Sequence, residues 1–181
     1  LQVVSQITAN IMKLTLTGND KPIVFSETEN YVQKLGLKII AKDETRPWGG
    51  FFVIDETQAT HFGKLFFEKE EISTMHKNQK LSPKILLVQP LKRLSWQYHH
   101  RRAEIWKVIA GRVGVITSDS DTEGLLKELR EGDMVRLARG QRHRLVGLDG
   151  WGVLAEIWQH TDPSHPSDEE DIVRVQDDFG R

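Results

Sequence analysis

The sequence predicts an all-β domain, a sandwich or small barrel, with short helices near its N-terminus. The first observation is a series of short β-rich runs that begins at residue 84. They are "KILLVQP", "RLSWQY", "EIWKVIAG", "RVGVITS", "LLKELREG", "DMVRLARG", "HRLVGL" and "GVLAEIW". The second is their punctuation by Gly, Asp and Pro at intervals of roughly 8–12 residues, the spacing of sandwich or barrel strands rather than alternating helices and strands. The third is size: 181 residues suit one domain with a real core, and 38% apolar with 28% charged content fits a globular chain.

The elements follow in order. Residues 1–25 alternate short apolar and polar groups and read as a strand or an extended arm. The chain opens on Leu, so Met12 is a candidate natural start with residues 1–11 lying upstream. "SETENYVQKLG" reads as a helix: Ser26 caps it, Glu29 completes a capping box and Gly36 stops it. "LKIIAK" and "FFVIDET" read as strands around a "RPWGG" turn. Residues 58–69 have apolar groups at 62, 65 and 66 and suit a short helix. "EEISTMHKNQKLS" is polar and reads as a surface loop. Residues 1–45 thus form an N-terminal arm and helix. Residues 46–181 form the β domain, with a helical insertion at about 58–80 and an acidic, Pro-broken C-terminal tail.

Composition excludes several classes. A formal net charge of −1 offers no basis for nucleic-acid or membrane-surface binding. No apolar run is long enough to span a bilayer, and the N-terminus lacks the blocks of a signal peptide. With no cysteine there are no disulfides or thiolate metal sites, and a cytoplasmic location is expected.

The densest chemistry lies in "LSWQYHHRRAEIWKVIAG", residues 94–111. Strand side chains two apart share a face, so Gln97 and His99 point one way, Tyr98 and His100 the other. A turn at residues 101–103 followed by a paired strand would form a hairpin that brings Gln97, His99 and Glu104 around one point, with Arg102 in the turn at the cavity mouth. His143, just after the Gly140 turn, is the best further ligand. Taken singly, the same residues read as hydrogen-bonded structural histidines and a surface carboxylate. Strand alternation alone does not decide between these readings and a metal site.

Two spacings resemble the motifs of the cupin superfamily. In the first, Gln97 and His99 take the two His places, Glu104 follows, then Gly111, while Leu91 stands where the motif opens on Gly. In the second, Gly132, Ala138, Gly140, His143 and Gly147 keep the Gly and His spacing but lose Pro and Asn. The resemblance covers residues 84–160 and implies a jelly-roll barrel. A narrower resemblance rests on "RPWG", "LSWQYHHRRAEIW", "GQRHRL" and the tail "EDIVRVQDDFGR". These are similar to type II phosphomannose isomerases, which often form the isomerase module of bifunctional mannose-1-phosphate guanylyltransferases. The chain departs from that family in carrying Arg101 and Ile105 where His is usual, and Phe179 in place of Tyr.

The resemblance implies a metal-dependent interconversion of mannose 6-phosphate and fructose 6-phosphate through an enediolate. It implies a divalent metal on Gln97, His99, Glu104 and His143. Zinc is expected because no redox change is needed; manganese, iron, cobalt and nickel suit the same ligands. Arg102 would act in catalysis beside the metal. The general base stays open among His100, Glu156, a hydroxide at the metal and a tail carboxylate. Arg46, Arg174 and Arg181 are phosphate-binding candidates, as are Arg102 and Arg144, because the guanidinium fork suits phosphate. Trp48, Trp96 and Trp106 are candidates to stack on a sugar, with core packing the plainer reading for the last two. A homodimer through sheet edges is expected by analogy. The competing classes are another metal-dependent cupin enzyme, disfavoured by Gln97, and a non-catalytic cupin that binds a sugar or nucleotide sugar.

Overall fold

The computed structural model describes residues 12–67 and 80–181. The expectations for residues 1–11, and most of the polar stretch read as a surface loop, fall outside them. Helix α1 spans Lys21–Lys34. It starts earlier than the Ser26 cap suggested, because Pro22 fits the first turn, where its missing N–H has no partner to lose. It ends where expected, with Gly36 in the left-handed region at φ 76°. Val24, Phe25, Thr28, Tyr31 and Val32 form its buried stripe.

Strands β1 (Ile39–Asp43) and β2 (Gly49–Ile54) pair antiparallel and lead through a 3-10 turn into α2 (Ala59–Phe66). The turn before β2 depends on Gly49. Its φ is 145°, and a Cβ there would lie 1.9 Å from the Leu87 carbonyl oxygen. Each of the eight β-rich runs contains one strand: β3 (Lys84–Val88), β4 (Trp96–His99), β5 (Arg102–Ala110), β6 (Arg112–Ser118), β7 (Leu126–Arg130), β8 (Met134–Leu137), β9 (Arg142–Gly147) and β10 (Gly152–His160). The tail adds β11 (Ile172–Gln176) beside β4. Leu91, at the motif's Gly position, adopts φ 60°, a conformation that costs a non-glycine residue about 1–2 kcal/mol. Among the described residues no helix is long and apolar enough to cross a membrane.

The strands form two sheets, ordered β1-β2-β3-β10-β5-β8 and β11-β4-β9-β6-β7. The first is covered on both faces, so β3 and β10 are near-continuous apolar runs. Ile85, Leu87, Ile105, Val153, Ala155 and Ile157 point outward and pack against α1 and α2 with Phe25, Val32, Phe62 and Phe66. The alternate residues point between the sheets, where Leu86, Val88, Val108 and Leu154 meet Val113, Val115 and Leu145.

That inner row changes character along each strand. On β3 it runs from Lys84 to Leu86 and Val88; on β5 from Arg102 and Glu104 to Trp106 and Val108; on β10 from Trp158 and Glu156 to Leu154. One end of the barrel is therefore an apolar plug and the other a polar chamber.

The expected β4–β5 hairpin does not form. β4 belongs to the second sheet and β5 to the first, and the chain crosses between them at His100 and Arg101. His99 and Glu104 consequently meet across the barrel rather than side by side. Arg102 is not in a turn: it is the first residue of β5, and its side chain is buried.

Candidate metal centre

Three elements supply the polar chamber. β4 brings Gln97 and His99 on its inner face, β9 places His143 opposite Gln97, and β5 contributes Glu104 from the facing sheet. The ligating atoms of His99, Glu104 and His143 all lie within 4.8 Å of one another, and all three residues are buried. Glu104 Oε1 is 3.1 Å from His99 Nε2, and Oε2 is 3.5 Å from His143 Nε2. The second separation is too long for a good hydrogen bond. Neither Glu104 Oε2 nor His143 Nε2 has a hydrogen-bond partner among the described residues.

The protonation states suit a metal. His143 Nδ1 lies 3.0 Å from the Gln141 carbonyl, so its N–H donates there and the Nε2 lone pair faces Glu104. Burial lowers the His99 pKa against the pull of Glu104 and favours the neutral imidazole. Burial alone would raise the Glu104 carboxyl, but His99, Arg102 and His143 outweigh it and hold the group well below the usual carboxylate range. Two imidazoles and a carboxylate, with Glu104 Oε2 and His143 Nε2 buried and without a partner among the described residues, fit a divalent ion. Gln97 lines the same cavity, where its amide oxygen accepts from Ser95 Oγ at 2.6 Å.

Arg102 stands beside this set. Its Nε donates to Glu104 Oε1 at 2.8 Å, and Nη2 lies 3.3 Å from His99 Nε2. Nη1 donates to Ser167 Oγ and the Asp168 carbonyl, and the guanidinium stacks 3.6 Å from the centre of the Trp158 ring. The tail is locked over the crossover: Asp171 accepts from the His100 and Arg101 N–H groups and from Ser167 Oγ. His160 Nδ1 accepts the Ser167 N–H; burial, helped by nearby cations, lowers its pKa to about 4 and keeps that acceptor available.

The cavity encloses about 590 Å³ including its mouth and is lined by five cations (Arg46, Lys84, Arg102, Arg174, Arg181) against three carboxylates (Glu104, Glu156, Glu169). Trp48 also lines it. Several expected residues do not reach it. His100 is exposed on the outer face, packed edge-on to Tyr98, as strand alternation from His99 requires. Arg144 faces away from His143's side and pairs with Glu123 and the Gln176 carbonyl. Trp96 donates outward to the Asp121 carbonyl. Trp106 does line the cavity, where its indole N–H donates to Glu156, while its ring packs between the sheets. Sequence reasoning missed Lys84 and Trp158. Their signals were a lysine opening an apolar strand and a two-residue step from Glu156.

A family model described as mannose-6-phosphate isomerase C-terminal matches residues 58–177. The chain belongs to that family. The mannose-6-phosphate isomerase C-terminal match includes all of the candidate ligands. One relative, the xanthan biosynthesis protein XanB of Xanthomonas campestris pv. campestris (strain B100), is 31% identical over 125 residues, 69% of this chain and 25% of XanB. A mannose-1-phosphate guanylyltransferase of Salmonella montevideo is 27% identical over 160 residues, 86% of this chain and 28% of that protein. The chain thus spans about a quarter of the length of these curated relatives. A mutant of Bacillus subtilis oxalate decarboxylase OxdC superposes with a TM-score of 0.52 at 14% identity, over 74% of this chain and 30% of that one. That likeness is one of fold, the cupin jelly roll.

Glu156 has a carboxyl displaced in the opposite direction from that of Glu104. Burial, then the neighbouring Glu104 charge, pushes it up to about 7, although Trp106 Nε1 donates to it at 2.9 Å. Between pH 4.5 and 7 the folded protein therefore holds a proton that the unfolded chain has released. The Glu156 contribution to stability therefore falls as pH rises through that window, by roughly 3 kcal/mol in the metal-free protein, while the lowered His160 pKa works in the opposite direction between about pH 4 and 6.5. Glu156→Gln keeps an acceptor for Trp106 and removes the falling contribution, so its stability should rise with pH relative to that of the wild type. Urea midpoints from pH 5 to 8 test it, and equal slopes in both proteins would count against it.

Proposed function

We infer that the chain is a metal-dependent aldose–ketose isomerase that interconverts mannose 6-phosphate and fructose 6-phosphate. The observation that carries this reading is the buried His99–Glu104–His143 cluster, whose Glu104 lines a cation-rich cavity, in a chain of this family. A divalent ion there, zinc by preference, supplies Lewis-acid stabilisation of the charge that develops as a proton leaves carbon beside a carbonyl.

The chain's own residues supply the rest. Glu156 shuttles the proton: it takes it from C2 of open-chain mannose 6-phosphate and returns it to C1, while a hydroxyl proton passes from O2 to O1. A carboxyl near pH 7 is poised for both transfers. Arg102 is held rigidly by Glu104, Ser167 and Asp168, and offers positive charge to the sugar oxygens. Arg46, Arg174 and Arg181 draw an anionic substrate to the mouth, and Trp48 forms part of the wall.

The test is conversion of fructose 6-phosphate by metal-loaded protein. Mannose 6-phosphate should appear, carry deuterium at C2 in deuterated water, and cease to form after exhaustive chelation. Turnover that survives chelation would contradict the reading.

A further inference from the structure

Lys84 is a puzzle for stability. It opens β3 with its side chain turned into the barrel, opposite Glu156 on β10. The residue is 9% exposed. Its ammonium lies 4.3 Å from the centre of the Trp158 ring and 5.3 Å from that of Phe51. The rest of β3 is apolar, and an apolar side chain there would avoid the cost of burying a charge.

Its ion-pair partner is Glu169, whose side chain is 64% exposed. That pair is not needed to fix the tail. Asp171 already binds the crossover backbone, and Arg102 binds Ser167 and the Asp168 carbonyl. Glu169 therefore meets Lys84 from the solvent side, and a largely solvated carboxylate is readily exchanged.

The pair also stands at a boundary. The metal-side cavity and a second pocket share Arg46, Phe51, Lys84, Trp158 and Glu169 as lining. Lys84 lies two strands from β5, which carries Glu104. Two strand spacings are about 10 Å, the length scale of an extended six-carbon phosphate. The other deep cation, Arg102, is committed to Glu104, Ser167 and Asp168, and Arg181 is forked onto Asp177. The Trp158 indole N–H has no hydrogen-bond acceptor among the described residues.

We propose that Lys84 anchors the phosphate of the substrate and that Glu169 is a place-holder carboxylate which the phosphate displaces. This rests on the sugar-phosphate reading above and names the residue that selects the phosphate end. A phosphate carries more charge than a carboxylate and three acceptor oxygens, so it wins the exchange. The Trp158 N–H supplies a further donor.

The experiment titrates inorganic phosphate into the metal-loaded wild type, Lys84→Met, Lys84→Arg and Glu169→Gln proteins by calorimetry, with fructose 6-phosphate kinetics alongside. Lys84→Met should weaken phosphate binding by about tenfold or more and raise KM for fructose 6-phosphate in parallel. Lys84→Arg should recover part of the affinity. Glu169→Gln should bind phosphate several-fold more tightly than wild type, an effect that loss of a merely structural ion pair does not produce. Phosphate binding no tighter in Glu169→Gln overturns the proposal even if Lys84→Met fails to fold. A normal KM in Lys84→Met overturns it while the isomerase reading stands. The expected phosphate affinities without isomerisation of any sugar phosphate would support the anion site and sink the isomerase reading.

Discussion

Replacing His143 by Ala is expected to strip the protein of most of its divalent metal. Wild-type protein purified without chelator should carry close to one ion per chain by elemental analysis. Even a residue that only supports a ligand costs about 10–100-fold in metal affinity when removed, so losing a ligand should cost more than about 100-fold. The argument rests on the tautomer. His143 Nδ1 is committed to the Gln141 carbonyl, and Nε2 faces Glu104 without a hydrogen bond. Alanine removes that lone pair and leaves Glu104 Oε2 facing a void. A wild-type protein that stays metal-free after reconstitution with zinc, manganese, cobalt or nickel would remove the basis for the centre. Gln97→Ala gives the comparison. Its amide already accepts from Ser95, and a loss as large as that of His143→Ala would make it a full ligand.

Arg102→Met should destabilise the metal-free protein severely. With Arg102 in an exposed turn, as the sequence suggested, the substitution would barely move the melting temperature. The structure reverses that expectation. Arg102 is 2% exposed, and so is the Glu104 carboxylate to which it donates. Removing one partner of a buried ion pair costs about 3–5 kcal/mol because the other charge is left uncompensated. Methionine also forfeits the stacking on Trp158 and the two bonds to the tail. A bound divalent ion offers Glu104 a replacement charge, so the loss should shrink when metal is present. Urea unfolding with and without metal reads both halves. In the metal-loaded variant, kcat/KM should fall by about tenfold to more than a hundredfold, the equivalent of one charge-assisted hydrogen bond. Unchanged stability of the metal-free variant would show that Glu104 does not depend on this arginine.

Charge in the chamber should also decide what the cavity attracts. Without metal, Arg102 balances Glu104, and Glu156 holds its proton up to about pH 7. The remaining cations then outnumber the remaining carboxylate, Glu169. An anion is the natural visitor to such a cavity, and a bound dication would strengthen that preference.

The sequence by itself determined the strands and named the three residues that meet in the buried His99–Glu104–His143 cluster. Eight β-rich runs became eight strands because an apolar alternation bounded by turn residues is a local signal. Period-two alternation likewise put His99 and Gln97 on the inner face and His100 outside, although His100 had been kept as a candidate base. The start of α1 was misread because the capping pattern at Ser26 competes with Pro22 and only one can open the helix. What tertiary structure alone decided was which sheet each strand joins. A hairpin and a crossover between sheets can share one sequence of strand, short connection and strand; the difference lies in the hydrogen-bond partners, which come from β9, β10 and β11 far along the chain. That choice buried Arg102 instead of exposing it and set Glu104 across the barrel from His99. It also brought Lys84, Trp158 and Glu169 into the chamber. Their roles depend on distances between residues more than seventy positions apart, and local periodicity carries no information about such distances.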